Sequence, residues 1–392
     1  MNPRYNQTIY ASYIGYITQA LVNNFAPLLF ITFNKKLGIS MELISLLITV
    51  NFGTQLLVDW VSSKYVRKVG TRFAVVSAHF FASAGLFSMA FLPVRFGFGG
   101  LVVSTVLYAI GGGLIEVIIS PIVEACPTSK KAAVMSILHS FYCWGQLATI
   151  LVSTLFFTLA GIDNWWIMSI LWSVLPFLNA FWFMLVPINA NEVEQPSSSR
   201  KKLFASKLFW VLLLLMLCSG ASELAMSQWA SAFAEDALGI SKTAGDLAGP
   251  CMFAALMGIS RVLHAKLSDK VSIEGFMIFS CILCIASYLS AAIFKIPALN
   301  LAGCAVCGFS VGIMWPGTYS IAASKIPSGG VAMFSTLALA GDMGCSAGPG
   351  LIGIVSSTSG GLKSGMLSGT FFPILMLFGI FALAKLSKKS HD

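Results

Sequence analysis

Tyr-Ala-Ile-Gly-Gly-Gly-Leu-Ile-Glu-Val-Ile-Ile-Ser-Pro, residues 108–121, is an apolar run that carries a single carboxylate, Glu116. A charged group at membrane depth costs several kcal/mol unless it faces a partner or water, so Glu116 reads as a pathway residue. The surrounding chain has the same character. It is 57% hydrophobic and 10% charged, whereas soluble domains carry about 25% charged residues. A helix needs about 20 apolar residues to cross the hydrocarbon core. That ruler predicts twelve spans, near 9–33, 42–64, 72–94, 98–124, 132–159, 164–187, 207–233, 246–266, 274–294, 297–322, 330–355 and 364–386. The first is too long for a signal-peptide core and is expected to be retained.

The net charge of +9 does not indicate a polyanionic partner such as nucleic acid. With a cytosolic N-terminus, 17 of the 24 lysines and arginines fall in inside segments and six in outside segments, and Arg261 stays within span 8. This asymmetry is the positive-inside pattern. It predicts a cell-membrane protein with both termini in the cytosol. Cys281, Cys284, Cys304 and Cys307 imitate a zinc-ribbon spacing. They lie in continuous apolar helix, where a thiolate site has no second shell, and so read as packing residues. No metal or cofactor is expected.

The stretch 189–206 has linker composition. It separates an amino-terminal six-helix bundle (1–188) from a carboxy-terminal one (207–392), with the linker cytosolic. The halves are weakly similar at an offset of 202, where Ser63–Val69 aligns with Ala265–Val271 and Asp59 with Arg261.

Ionisable residues are segregated. Spans 3, 6, 9 and 12 have none in their interiors, whereas Asp59, Glu116, Glu124, Glu223, Arg261 and Asp342 sit in spans 2, 4, 7, 8 and 11. Helical spacing groups the polar residues into faces. Asn51, Gln55, Asp59 and Ser63 form a stripe on span 2, and Tyr16, Gln19 and Asn23 form one above Pro27 on span 1. His139, Tyr142 and Gln146 share a face of span 5, and Ser219, Glu223 and Ser227 share one of span 7. The rise per residue puts Glu223 and Asp342 near mid-membrane, with Glu116 and His139 in the cytosolic half. Asp59 and Arg261 fall near cytosolic ends, which suits an inner gate. Trp144, Trp229 and Trp315 lie beside polar groups, where a ring can stack on a sugar. Trp165 and Trp166 read as membrane-belt residues, and His79 and His264 as structural.

Parallel six-helix halves with a substrate between them resemble the major facilitator superfamily. Ala265, Leu267, Asp269 and Lys270 resemble its loop signature, G-x-L-x-D-R-x-G, and imply a gating role for Asp269. Residues 111–123 resemble the fourth-helix motif of the fucose–proton symporter family. Leu138–Gly145 is similar to its fifth helix, and Trp315–Ser320 to its tenth. The resemblance implies an all-α integral membrane protein of that fold, with twelve transmembrane helices as two six-helix bundles around a central cavity. It implies Glu116 as the proton-coupling carboxylate, and sugar contact at His139 and Tyr142, which replace glutamine and asparagine. The family's first-helix aspartate is absent from Asn23-Asn24-Phe25-Ala26-Pro27, so either Glu223 supplies a second carboxylate or one suffices.

The expected function is therefore proton-coupled symport of a small polar solute, a sugar or polyol, by alternating access. The expected solute contacts are Asn23, Asn24, His139, Tyr142, Trp144, Gln146, Glu223, Trp315 and Asp342. The expected partners are a small-molecule substrate, protons and the lipid bilayer, with the chain acting as a monomer. An acidic inventory of Glu116, Glu223 and Asp342 also suits an efflux antiporter for organic cations. Neither a metal motif such as H-E-x-x-H nor a nucleophile elbow occurs, so no enzyme is expected.

Overall fold

In hydrocarbon every backbone N–H and C=O must be satisfied within the chain, which for segments this apolar means helix. The computed structural model describes residues 3–127, 131–189, 203–267, 271–326 and 330–388; among them there is no strand. Among the described residues twelve helices are long and apolar enough to cross a membrane. They are α1 (Tyr5–Leu37), α2 (Met41–Ser62), α3 (Thr71–Met89), α4 (Leu92–Val123), α5 (Ile137–Ala160) and α6 (Ile162–Leu185), followed by α7 (Lys207–Ala237), α8 (Lys242–His264), α9 (Ile273–Ile293), α10 (Pro297–Lys325), α11 (Thr336–Thr358) and α12 (Leu362–Leu386). The chain divides into two compact units, Met1–Gln195 and Pro196–Asp392. Asp269 and most of the 189–206 linker lie outside the described residues.

In the first unit α3 packs against α4 and α6, α2 against α4, and α1 against both α4 and α5. One polar tie among α1, α3 and α6 centres on buried His79. Its Nδ1 donates to the Val75 carbonyl (2.7 Å), because a carbonyl only accepts. Nε2 is then the acceptor for the Asn179 amide (2.9 Å), which also donates to Ala11 of α1 (3.1 Å). Arg72 adds a second tie, donating to the carbonyls of Phe183 and Met184 at the end of α6 (both 2.8 Å).

Trp165 departs from its expected belt position. It is 5% exposed and meets Phe33 edge-on at 5.5 Å, while Trp166 is 40% exposed. Neighbouring side chains on a helix point about 100° apart, so only one of the pair can face outward. A Lys36–Asp163 ion pair also ties the end of α1 to the start of α6.

In the second unit α7 packs against α11, α9 against α10, and α8 against α10. Small residues allow the α7–α11 approach. A methyl group at Gly344 would strike the Leu217 carbonyl, and one at Gly348 would come 2.5 Å from the Ala221 carbonyl. Cys281, Cys284, Cys304 and Cys307 are all buried between α9 and α10, with the sulfurs of Cys284 and Cys307 3.9 Å apart. His264 meets Phe276 edge-on at 5.2 Å.

Several spans are interrupted along their length. Pro27 lies in the 3₁₀ turn Ala26–Leu29 that interrupts α1. α7 ends in the π-turn Phe233–Ala237, and α8 contains the π-turn Leu247–Cys251 with Pro250 inside it.

The α7–α11 contact gives a direct test. Gly344→Val sets a branched side chain against backbone that cannot move, and should cost about 3 kcal/mol or more. Gly53→Ala, on open α2 surface with nothing within 4 Å, should be neutral or gain about 0.5–1 kcal/mol. Thermal unfolding of both variants in one detergent checks the order.

Candidate functional site

In the amino-terminal unit the site is built on the α1 stripe. Gln19 donates from Nε2 to Glu116 Oε2 at 2.5 Å. One turn back, the Tyr16 hydroxyl meets Ser120 Oγ at 2.7 Å, and Ser120 lies one turn beyond Glu116 on α4. One turn forward, Asn23 Oδ1 accepts from Gln55 Nε2 (2.8 Å) and from Asn51 Nδ2 (3.3 Å). Gln55 also donates to Asn51 Oδ1 at 3.2 Å, closing the α2 stripe onto α1.

The three glycines before Glu116 make this convergence possible, each against a different neighbour. A methyl at Gly111 would lie 2.6 Å from the Ala78 carbonyl of α3. At Gly112 it would meet Val22 of α1 at 3.0 Å, and at Gly113 the Gln55 Cα of α2 at 3.1 Å. Residues 100° apart thus admit three helices around one carboxylate.

His139 joins the cluster through an edge contact with the Tyr16 ring at 5.2 Å, and is itself exposed. Tyr142 is half-buried and Gln146 buried on the same α5 face. Trp144 does not join them. It follows His139 by five residues, about 140° around the helix, and is 51% exposed. Asn24 also turns away, donating to the Ala20 carbonyl of its own helix at 2.8 Å. Asp59 continues the α2 stripe one turn past Gln55, half-buried.

In the carboxy-terminal unit Glu223 is buried on α7. Among the described residues the adjacent Ser219 and Ser222 hydroxyls are enclosed without a partner. The Tyr288 hydroxyl donates to the Ser222 carbonyl at 2.8 Å. Arg261 lies within electrostatic reach of Glu223. Its Nε donates to the Gly312 carbonyl at 3.1 Å, at the point where α10 breaks, so within this unit it anchors α8 to α10. Asp342 is buried on α11 beside Gly341, and the Trp315 ring lies directly over that glycine. Trp315 is half-buried and meets Tyr319 edge-on at 6.3 Å. Trp229 is a tie to α11, fully buried with its ring N–H on the Pro349 carbonyl at 3.0 Å.

Sequence reasoning named Gln19 and Tyr16 as face residues without assigning them a site role. It passed over Asp246, which is buried, receives a hydrogen bond from Ser231 and lies 3.1 Å from Lys242. The available signal was its continuation of the α7 serine row, which required knowing that α7 and α8 pack as a hairpin.

The family model of the Major Facilitator Superfamily matches residues 12–349. Solved structures share the fold at low identity. A bacterial homologue of the human lysosomal transporter Spinster aligns with a TM-score of 0.78 at 14% identity, over 98% of each chain. A D-xylose–proton symporter gives 0.79 at 12% identity, over 97% of this chain and 96% of that one. The E. coli fucose:proton symporter gives 0.66 at 13% identity, over 96% and 98%. Among curated proteins none matches the chain by sequence.

The two adjacent asparagines separate experimentally. Asn23→Leu removes an acceptor that two buried amides share, and should cost roughly 1–3 kcal/mol. Asn24→Leu loses a single bond to a carbonyl of its own helix and should cost less than about 1 kcal/mol. Melting temperatures of the two variants, compared with the parent, check the ranking.

Proposed function

Since the chain belongs to the Major Facilitator Superfamily, we propose that it is a proton-coupled symporter of a small neutral solute, a sugar or polyol, working by alternating access. The observation that carries this reading is the contact between Glu116 and Gln19. A carboxylate in an apolar span, supported by a neutral carboxamide, is a group that can gain and lose a proton during a cycle. Glu116 is the coupling carboxylate and Glu223 the second. In the amino-terminal unit Asn23, His139, Tyr142 and Gln146 offer amide, ring and hydroxyl groups to a polyhydroxylated solute. In the carboxy-terminal unit Trp315 offers a ring face beside Asp342. Two fold neighbours are a fucose:proton and a D-xylose–proton symporter, which supports the same class. The protein acts as a monomer in the cell membrane, with cytosolic termini and Asp59 and Arg261 near the inner gate.

Buried carboxylates at Glu223 and Asp342 also favour a second reading, efflux of an organic cation against protons. The direction of solute movement under an imposed pH gradient separates the two.

The test uses proteoliposomes and a panel of labelled hexoses, pentoses, polyols and nucleosides. Glu116→Gln should abolish accumulation driven by the pH gradient while exchange of labelled for unlabelled solute continues. Accumulation at the parent level in that variant would falsify the coupling role.

A further inference from the structure

Asp246 has no part in the reading above, yet it is more deeply buried than Glu223, which lies further back along α7. It sits in the opening turn of α8 and is 1% exposed, while the Lys242 side chain is 17% exposed. Its Oδ1 accepts from Ser231 of α7, and its Oδ2 lies 3.1 Å from Lys242 Nζ. That ammonium occupies the place a bound metal cation would need. Burying such a pair is costly, and a carboxylate with no task would be cheaper at the surface.

Ser231 gives the group a direction. Ser219, Glu223, Ser227 and Ser231 recur every fourth residue, so a single face of α7 carries them about 6 Å apart. The row ends on Asp246, about 12 Å along the helix from Glu223. A serine hydroxyl both donates and accepts and turns freely between the two roles. A single bridging water between neighbours would close each gap. Ser227 and Ser231 are both buried, which insulates the row from bulk water. Close packing seals its flank, with Gly249 against the Ala230 carbonyl and Gly245 against the Ala234 methyl. The two π-turns, Phe233–Ala237 and Leu247–Cys251, begin just beyond Ser231 and Asp246. Such turns loosen a helix locally and are frequent at functional sites.

We propose that Asp246 is a proton-binding carboxylate that exchanges protons with Glu223 along the Ser231–Ser227 row. The inference rests on the reading of Glu223 as a coupling group. Only H⁺ moves. Asp246 takes a proton as Lys242 swings to water, then passes it to the Ser231 hydroxyl. That hydroxyl releases its own proton through water and Ser227 to the Glu223 carboxylate. Besides Asp342, buried on α11 against α7, the other charges at hand are few. The Cys251 thiol shares α8 with Asp246, and the α7 π-turn carries Glu235 and Asp236. The α10 segment Pro297–Val311, packed on the α8 π-turn, has no charged residue. Lys363 of α12 is engaged with the Phe294 carbonyl at 3.4 Å, and Arg261 stands at the Glu223 end.

Infrared difference titration of the full chain in liposomes, with protons as the only probe, tests this. Asp246→Asn should delete one protonated-carboxyl band that Glu116→Gln retains. Ser227→Ala should slow the appearance of the Glu223 band after a pH jump by roughly tenfold or more, with the melting temperature unchanged. Should Asp246→Asn fail to fold, Asp246→Glu keeps the ion pair and must move that band. A spectrum indifferent to Asp246, or an undelayed Glu223 band in Ser227→Ala, overturns the proposal. The titration needs no solute, so a carrier that titrates in this way but accumulates no solute in the separate uptake assay refutes the symport reading and leaves the relay standing. Normal symport with a silent Asp246 does the reverse.

Discussion

A polar group in hydrocarbon has only the partners its own chain supplies. For the backbone that constraint selects helix. For side chains it selects sets shared between helices, and this chain is held together by them. His79 and Asn179 tie three helices, Arg72 closes the end of α6, and Trp229 reaches the Pro349 carbonyl across the α7–α11 contact. None of these sets forms unless backbones come close, which is why small residues accompany them. Gly111, Gly112 and Gly113 do this for Glu116, and Gly344 and Gly348 for α7. Small residues and buried polar groups are two halves of a single device.

The same dependence explains which parts of the protein were legible in its sequence. The spans were, because a length of apolar chain is a one-dimensional property. The α1 stripe was also legible, since Tyr16, Gln19 and Asn23 need only a helical period. What lay opposite each face was not, because helix rotation is set by close contacts between residues far apart in sequence. Asn23 and Asn24 show the limit: adjacent and identical, they differ by 100° of phase, so one joins α2 and the other folds back on Ala20. Trp165 and Trp166 pose the same problem, resolved by Phe33 on another helix. Asp246 was hidden differently. A span counted from residue 246 makes it a boundary residue, whereas α8 begins at Lys242 and the end of α7 covers it.

The two units are weakly similar in sequence and differ in where their charges fall. At the offset of 202, Arg261 stands where the first unit has Asp59, and Thr318 where it has Glu116. Thr318 spends its hydroxyl on the Met314 carbonyl of its own helix at 2.7 Å, and Arg261 anchors the α10 break. The second unit instead places its carboxylates on α7, α8 and α11, with Arg261 and Lys242 within electrostatic reach of two of them. In the first unit Glu116 accepts from the Gln19 carboxamide, with the Tyr16–Ser120 hydroxyl pair one turn away and His139 against the Tyr16 ring.

On the proposed reading Glu116 exists in two protonation states, and the Gln19 contact suits both. An arginine or lysine beside Glu116 would donate to the carboxylate but could accept nothing from the acid, so protonation would orphan a buried donor. Gln19 carries both functions on one planar amide. Its NH₂ donates to the ionised form, and after a rotation of the amide its carbonyl accepts from the protonated form. The same contact can thus be kept in either protonation state. A second negative charge beside Glu116 would favour its protonated state over the ionised one.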